Sequence, residues 1–539
     1  MLSRNLFFRM LESNKGVNMH VFKNADFISC EDKNRIFKYL VEKDGKIIFT
    51  GDQLPEVYAR VETVDLKNRC VVPAFADTHM HFASFSFFNS GLDCRDVHDF
   101  AELDDMIRKY IALGKKEKVI LGFGCSAHIV KEKRLPERND LDKITEQPLM
   151  IVKYDGHASV GNTAMINKLP ASILADPGFD AATGWFYLNA FYRAINSITQ
   201  SVSLPSVFKN MIAGSDYLAR KGISLVHTAE GVGFPLDLDV DIVRFSNRGL
   251  PQKFHVFFQT MNIKKVLSRK LPCIGGCFAT ALDGCFGSED AALKEPYSNN
   301  PRSFGTLFYS QQQVNDFVKA ANRSGLQIAM HAIGDAAIEQ ALTAFELALN
   351  DFSREDHRHI IIHADLMYPE TIEKAAKLGL CIALQTPFLY WRQEPMEYLQ
   401  KILGDRIKNL IPLKSMLKGG LVIASGSDAP CTLPDPVASI YAACNHPNPQ
   451  ESVPVLDALR MHTSSCAKLS FDENKRGTLA DGKLADFVVL DQNPLQIPVQ
   501  KLNNVKVEAL YLKGEKYTGQ DNRGSAGLFF DSLKNAYPS

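Results

Sequence analysis

The sequence has no excess of either charge, because its 539 residues contain 61 Lys and Arg against 61 Asp and Glu. Proteins that bind nucleic acid or an anionic membrane usually carry a basic excess, so this balance argues against both partners. No stretch approaches the roughly 20 apolar residues that span a bilayer. We therefore expect a small-molecule substrate, no nucleic acid and no membrane, and leave a homodimer open.

The 11 cysteines form no CxxC pair and no spacing typical of a disulfide framework. The N-terminus also lacks the sustained apolar core and cleavage site of a signal peptide. Both features are typical of a reducing compartment, which predicts a cytoplasmic protein. Residues 1–18 contain three basic residues and one acid. We interpret them as a disordered leader or as the product of a start codon upstream of the true one at Met19, with a mitochondrial presequence as the alternative.

Two histidines separated by one residue, His79 and His81, follow an apolar run. The run, Cys70–Ala76, predicts a buried strand that holds both histidines at its carboxyl end. In an extended segment, residues i and i+2 lie on the same face, so the two imidazoles can bind one metal ion. The pattern alone is a weak signal, because such pairs also occur as polar surface.

Three later apolar runs also end in metal-binding side chains. Leu326–Met330 precedes His331, Ile360–Ile362 precedes His363, and Leu421–Ala424 precedes Asp428 by a few residues. Taken singly, each could be a core histidine or a turn and helix cap. Imidazole and carboxylate together suit zinc and similar divalent ions.

Helical patterns follow these runs, as in a (β/α)8 barrel. Gly334-Asp335 begins one helix, Pro369 fits the first turn of another, and Gly379 fits the end of the latter. Active sites of such barrels lie at the carboxyl ends of the strands. The sequence therefore predicts an α/β fold with a TIM-type barrel. Its predicted metal ligands are His79, His81, His331, His363 and Asp428.

The two ends of the chain share a hairpin pattern, with turns at Asp44-Gly45 and Lys513-Gly514-Glu515. Neither end is long enough to bury a core alone, so we predict that both contribute to one small β-sandwich domain. We expect helices beside the barrel mouth from residues 163–215, which do not fit eight regular units. The expected boundaries are 1–18 for the leader, 19–74 and 474–520 for the β-domain, 75–473 for the barrel and 521–539 for a C-terminal tail.

Several phrases resemble the amidohydrolase superfamily, and within it the amidohydrolase 3 (YtcJ-like) group. They are VVPAFADTHMH, DGHASVGN, DGCFGSEDAAL, MHAIGDAAIEQAL, SDAPCTLPDPVASIYAA and GKLADFVVLDQNP. The resemblance extends from about residue 19 to about residue 518. It implies a metal-dependent hydrolase of C–N bonds other than peptide bonds, in amides, formamides or cyclic amides and imines. It also implies that the five predicted ligands line the metal site.

One departure from the group concerns the number of ions. Similar proteins often carry a lysine four residues before the Asp of the DG phrase, and its carbamate can bridge two metals. Here that position is Ala279, whose methyl group cannot bridge. Cys277 and Cys285 lie nearby but not at that alignment. We therefore expect one divalent ion per chain, most simply zinc.

The ligand set predicts hydrolysis by a metal-activated water. Asp428 is the candidate general base, and His363 is the candidate for stabilising the oxyanion. Two other functions stay open. One is a non-catalytic or regulatory metal-binding protein on the same fold, and the other is a metal-dependent isomerase or lyase.

Other residues are secondary candidates. His157 would contact substrate or make a structural hydrogen bond, and Asp283 would reach the pocket or make a turn. His227 ends an apolar run and is a candidate for a further ligand. The candidates for an apolar wall or lid, as opposed to packing of the barrel rim, are Phe388, Tyr390 and Trp391.

Overall fold

The computed structural model describes residues 19–114, 118–519 and 524–536, so the predicted leader lies outside the described residues. The strands are β1 (Met19–Ile28), β2 (Ile36–Phe37), β3 (Tyr39–Lys43), β4 (Lys46–Gly51), β5 (Glu62–Pro73), β6 (Phe75–Met80), β7 (Leu92–Asp93), β8 (Ile120–Cys125), β9 (Leu149–Lys153), β10 (Ala158–Gly161), β11 (Phe179–Asp180), β12 (Trp185–Tyr187), β13 (Ile223–Glu230), β14 (Lys253–Phe258), β15 (Cys273–Ala281), β16 (Gln327–Ala332), β17 (Ile360–His363), β18 (Cys381–Leu384), β19 (Val422–Ser425), β20 (Phe487–Leu490), β21 (Val507–Leu512) and β22 (Glu515–Lys516).

The α-helices are α1 (Phe82–Phe88), α2 (Phe100–Ala112), α3 (Arg138–Asp142), α4 (Thr163–Ile166), α5 (Ala171–Leu174), α6 (Leu188–Thr199), α7 (Leu204–Arg220), α8 (Leu238–Ser246), α9 (Ile263–Ser268), α10 (Gln311–Arg323), α11 (Asp335–Asp351), α12 (Pro369–Lys377), α13 (Met396–Leu403), α14 (Leu413–Lys418), α15 (Pro436–Cys444), α16 (Val455–Met461), α17 (Ser464–Leu469) and α18 (Gly524–Lys534). None of the helices in the described ranges is long and apolar enough to cross a membrane.

Eight parallel strands form a nearly closed barrel, in the order β6-β13-β14-β15-β16-β17-β18-β19. A parallel bridge between Met80 and Ala429 brings the end of the last strand back to the first. Strands such as β16 and β17 are buried along their whole length, which is why they appear in the sequence as continuous apolar runs. This architecture fits the predicted TIM-type barrel.

The helices that follow β16 and β17 agree with the predicted strand–helix pattern. In α11, Ile338, Leu342 and Phe345 are fully buried against the barrel. Helix α12 begins at Pro369 and is followed by Gly379, whose φ of +67° is the left-handed conformation that glycine adopts without strain.

Both ends of the chain contribute to one curled sheet, in the order β22-β21-β20-β5-β1-β3-β4, with β2 paired to β1. Strand β20 pairs antiparallel with β5, and Ile47 N–H in β4 donates to Lys483 O at 2.8 Å just before β20. The sheet thus curves back toward its own edge. The two segments form a single curled sheet, and a second, facing sheet is not found among their described residues, so the predicted sandwich is not confirmed.

The apolar run before the paired histidines is divided between two sheets. Cys70–Pro73 ends β5 of the curled sheet, whereas Phe75 and Ala76 begin barrel strand β6. The prediction of one continuous strand was wrong. A single apolar run can be divided so that one part is buried in the curled sheet and the other in the barrel.

A third sheet is inserted between barrel strands β6 and β13, in the order β11-β12-β10-β9-β8-β7. From the sequence we expected only helices beside the barrel mouth. Helices α4 to α6 do lie within residues 163–215 and α7 begins there, but β11 and β12 lie there too. The inserted sheet was missed because four of its strands have four residues or fewer, too short for a periodicity to appear.

Candidate metal centre

Six side chains that can bind metal meet at the carboxyl end of the barrel. His79 lies in β6 and His81 just after it, Cys277 lies in β15, and His331 lies in β16. The other two are His363, which ends β17, and Asp428, which follows β19. All six are buried, with exposed fractions of 8% or less. The barrel therefore brings together all five predicted ligands and adds a thiol.

The potential ligand atoms form two overlapping groups. In the first, Asp428 Oδ1 lies 3.1 Å from His79 Nε2 and 3.3 Å from His81 Nε2, and Cys277 Sγ lies 3.1 Å from His79 Nε2. In the second, the same sulfur lies 3.7 Å from His363 Nε2, with His331 as the third member. Within each group the ligand atoms lie within 4.8 Å of one another.

Backbone carbonyls orient two of the imidazoles. His81 Nδ1 lies 3.0 Å from Ala229 O and can donate a hydrogen bond to it, which leaves Nε2 facing Asp428. His331 Nε2 lies 3.1 Å from Gly284 O, and its buried Nδ1 has no hydrogen-bond partner. A hydrogen bond that fixes the tautomer of a ligating histidine is typical of metal sites.

The charge states at neutral pH suit a cation. Burial lowers the pKa of His331 to about 4 and the pKa of His363 well below its usual range, so both rings are neutral. Burial opposes ionisation of Asp428, but His79 and His81 hold its pKa well below the ordinary value. Burial, and then Asp428, raises the pKa of the Cys277 thiol, which would lose its proton to a bound cation.

The contacts among these atoms fit ligands of a shared ion better than mutual hydrogen bonds. Although Asp428 Oδ1 is close to two imidazole nitrogens, it receives no hydrogen bond of acceptable geometry. His363 and Asp428 also adopt left-handed backbone conformations, with φ of +68° and +56°. Such strained conformations are rare outside glycine and concentrate at functional sites. The donor set of imidazole, thiolate and carboxylate fits zinc.

The thiol of Cys277 reaches the site through a bulge. The pairing of β15 with β16 shifts between Gly276 and Ala281, so residues 277–280 leave the ladder. Gly275 and Gly276 permit this path, with φ of +108° and +135°. Sequence spacing did not place Cys277 beside both ligand groups, because an ungapped alignment cannot show a bulge. The position of its sulfur weighs against the argument from Ala279 for a single ion, which stays a prediction.

Asp283 does not line the cavity beside the metal centre. Its carboxylate accepts N–H hydrogen bonds from Ala292, Ile333 and Gly334 at 2.8 to 3.0 Å. These bonds tie the loop after β15 to the loop after β16. They give Asp283 a structural role, in line with the turn that DG dipeptides favour, while its assignment to substrate binding stays an untested prediction.

The other secondary candidates are divided. His157 lines the cavity, with its ring 5.3 Å from that of Phe278. His227 lies within β13, inside the barrel below the site, and belongs to neither ligand group. Phe388 and Trp391 stack at 4.5 Å in the cavity wall, but Tyr390 is half exposed and points to Asn445 O.

The cavity above the ligands is mainly aromatic on one side. The inserted sheet and its helix contribute Phe123, Phe191 and Tyr192, which face the barrel loops across the opening. The sequence analysis missed this contribution because it did not predict the insertion.

Comparison with known proteins assigns the chain to a family. The sequence profile of the family described as "Amidohydrolase family" matches residues 62–516. The chain belongs to the amidohydrolase family. Its fold agrees with a metal-dependent hydrolase of Pyrococcus horikoshii that is 23% identical, with a TM-score of 0.73 over 89% of this chain and 99% of the other.

Three curated relatives match over most of their length. YtcJ of Bacillus subtilis, an amidohydrolase by name, is 24% identical over 90% of this chain and 96% of its own. LONG AFTER FAR-RED 3 of Arabidopsis thaliana is 26% identical over 83% of this chain and 80% of its own length. N-substituted formamide deformylase of Arthrobacter pascens is 23% identical over 91% of this chain and 96% of its own length. Membership of the family supports a hydrolase.

Proposed function

We propose that this amidohydrolase cleaves a C–N bond other than a peptide bond in a small molecule, such as an amide, a formamide or a cyclic amide or imine. The single observation that carries the proposal is the meeting of six buried side chains that can bind metal, five of which line the floor of a cavity. The name of the deformylase relative supports formamides as one substrate class.

We propose two zinc ions, with His79, His81, Cys277 and Asp428 around one and Cys277, His331 and His363 around the other. The sulfur that both groups share supports this number, since an anion between two cations offsets their repulsion. Held by these residues, a metal would lower the pKa of a coordinated water to about 7 and polarise the substrate carbonyl.

Asp428 is the proposed general base. Its carboxylate lines the cavity and is ionised, so it can accept a proton from water and pass it to the leaving nitrogen. His363 lines the same floor and is neutral, so it can orient the substrate oxygen. The aromatic walls exclude water around the reacting bond.

A substrate panel tests this proposal. N-acyl, formamide and cyclic amide compounds would be incubated with purified protein before and after chelation and after zinc is restored. We expect at least one class to be hydrolysed only with metal present. Full metal occupancy without hydrolysis of any class would favour the non-catalytic alternative, and rearrangement without uptake of water would favour an isomerase or lyase.

A further inference from the structure

One wall of the cavity carries acidic and amide side chains beside His81. We call it the acidic wall and define it as Glu230, Asp239 and Gln259. Glu230 ends β13, Gln259 follows β14, and Asp239 lies in α8. Their exposed fractions are 1%, 2% and 3%, yet all three border the cavity.

Uncharged donors hold the Glu230 carboxylate in place. Its Oε1 accepts the Ala83 N–H at 3.1 Å and the Thr228 hydroxyl at 2.5 Å. These donors fix its orientation but bring no full positive charge. Burial, and then the neighbouring Asp239, raises the pKa of Glu230.

Asp239 is held in a similar way and keeps a free oxygen. Its Oδ2 accepts three backbone N–H groups, from Gly231, Val232 and Gly233, at 2.7 to 3.3 Å. Its buried Oδ1 has no hydrogen-bond partner. Burying a carboxylate without a cation is costly. Among the cavity-lining residues that the structure describes, there is no lysine or arginine to supply one.

Gln259 adds an independent acceptor to the same wall. Its Nε2 donates to Ala229 O at 3.0 Å, which fixes the amide orientation. The buried Oε1 then has no hydrogen-bond partner. Leaving a buried acceptor unpaired costs about 1–3 kcal/mol, so a group that donates hydrogen bonds here would be stabilised.

Aromatic rings elsewhere in the cavity complement this wall. They belong to Phe191, Tyr192, Phe278, Phe388 and Trp391. Ring faces attract cations and also bind apolar groups. The cavity therefore combines acceptors without cationic partners with an aromatic enclosure.

We propose that the acidic wall binds a cationic, N–H-rich group of the substrate, namely an ammonium, amidine or guanidinium carried on an apolar or aromatic body. The inference rests on the proposed function in that the same molecule would present its C–N bond to the metal centre. Its test measures binding and needs no turnover.

The probes are benzamidine and acetophenone, which are similar in shape but differ in charge and N–H donors. Binding to the full-length, metal-loaded protein would be measured by titration calorimetry. We expect benzamidine to bind about tenfold more tightly or better. Glu230→Gln and Asp239→Asn should each weaken benzamidine binding about tenfold and leave acetophenone binding unchanged.

Two further variants complete the test. Gln259→Leu removes an acceptor without changing charge and should weaken benzamidine binding about threefold or more. Asp99→Asn is the matched control, because Asp99 caps α2 away from the cavity and Asn retains that role. It should change neither affinity.

Equal binding of the two probes by the parent protein would overturn the inference. So would carboxyl variants that lose metal, measured by elemental analysis, but keep the preference for benzamidine, because the acidic wall would then serve the metal. Thermal unfolding shows which variants are folded. A benzamidine preference without hydrolysis of any panel compound would sink the proposed function alone.

Discussion

Replacing Cys277 with alanine tests the proposed shared ligand. The sulfur lies 3.1 Å from His79 Nε2 and 3.7 Å from His363 Nε2, between the two ligand groups. Ions in two-metal sites are about 4 Å apart. At an effective dielectric constant of about 20, unit charges at that distance interact by about 4 kcal/mol, so two divalent ions repel by about 17 kcal/mol. At the same dielectric constant, the attraction between a thiolate and a divalent ion about 2.3 Å away would be about 14 kcal/mol for each ion and would offset this repulsion.

The Cys277→Ala variant should therefore lose one of the two ions and remain folded, since alanine is smaller than cysteine. Elemental analysis after gel filtration should give about two ions per chain for the parent and about one for the variant. Cys431→Ala is the matched control, because Cys431 lines the same cavity but belongs to neither ligand group, and it should keep both ions. A Cys277→Ala protein that retains two tightly bound ions would refute the bridging role.

The other predictions concern the base, the curled sheet and pH. Asp428→Asn should lower turnover about 10²- to 10⁴-fold while the fold and much of the metal are retained, as thermal unfolding and elemental analysis would show. Retention of more than about a tenth of the activity with metal bound would show that Asp428 is not the base. Truncation after residue 475 removes β20 from β5 and should cause aggregation, and a soluble, active product in size-exclusion chromatography would contradict the shared sheet. Burial lowers the pKa of His462 from 6.5 to about 4. The unfolded chain therefore takes up this proton at a higher pH than the folded chain. As the pH falls from about 6.5 to about 4, the free energy of unfolding of the metal-free protein should decrease by about 3 kcal/mol through this residue. His462→Gln should flatten that decline in urea unfolding, and an unchanged slope would show that His462 titrates normally.

The ligands were predictable because strand ends leave local signals. His331 and His363 each follow an apolar run. Because the carboxyl ends of parallel barrel strands all lie at one end of the barrel, both histidines lie there regardless of the loop conformations. Cys277 was not predictable in this way, since its position depends on a bulge that shifts pairing between strands far apart in sequence. The acidic wall was missed for a similar reason. Glu230 and Asp239 come together only through the loop after β13.

The larger errors have the same origin. The curled sheet could be anticipated from its hairpin turns, such as Asp44-Gly45, which local residue preferences determine. The curling of that sheet, and the sheet inserted after β6, depend on which strands pair over long separations. The sequence left Asp283 open between a turn and the pocket, because a carboxylate before glycine occurs in both.

The most direct test of the account is a zinc titration of chelator-treated protein, with hydrolysis of the best panel substrate and bound metal followed together. The account predicts that hydrolysis is absent without metal, rises with zinc and saturates at about two ions per chain. Hydrolysis that persists in metal-free protein, or full zinc occupancy without any hydrolysis, would contradict it.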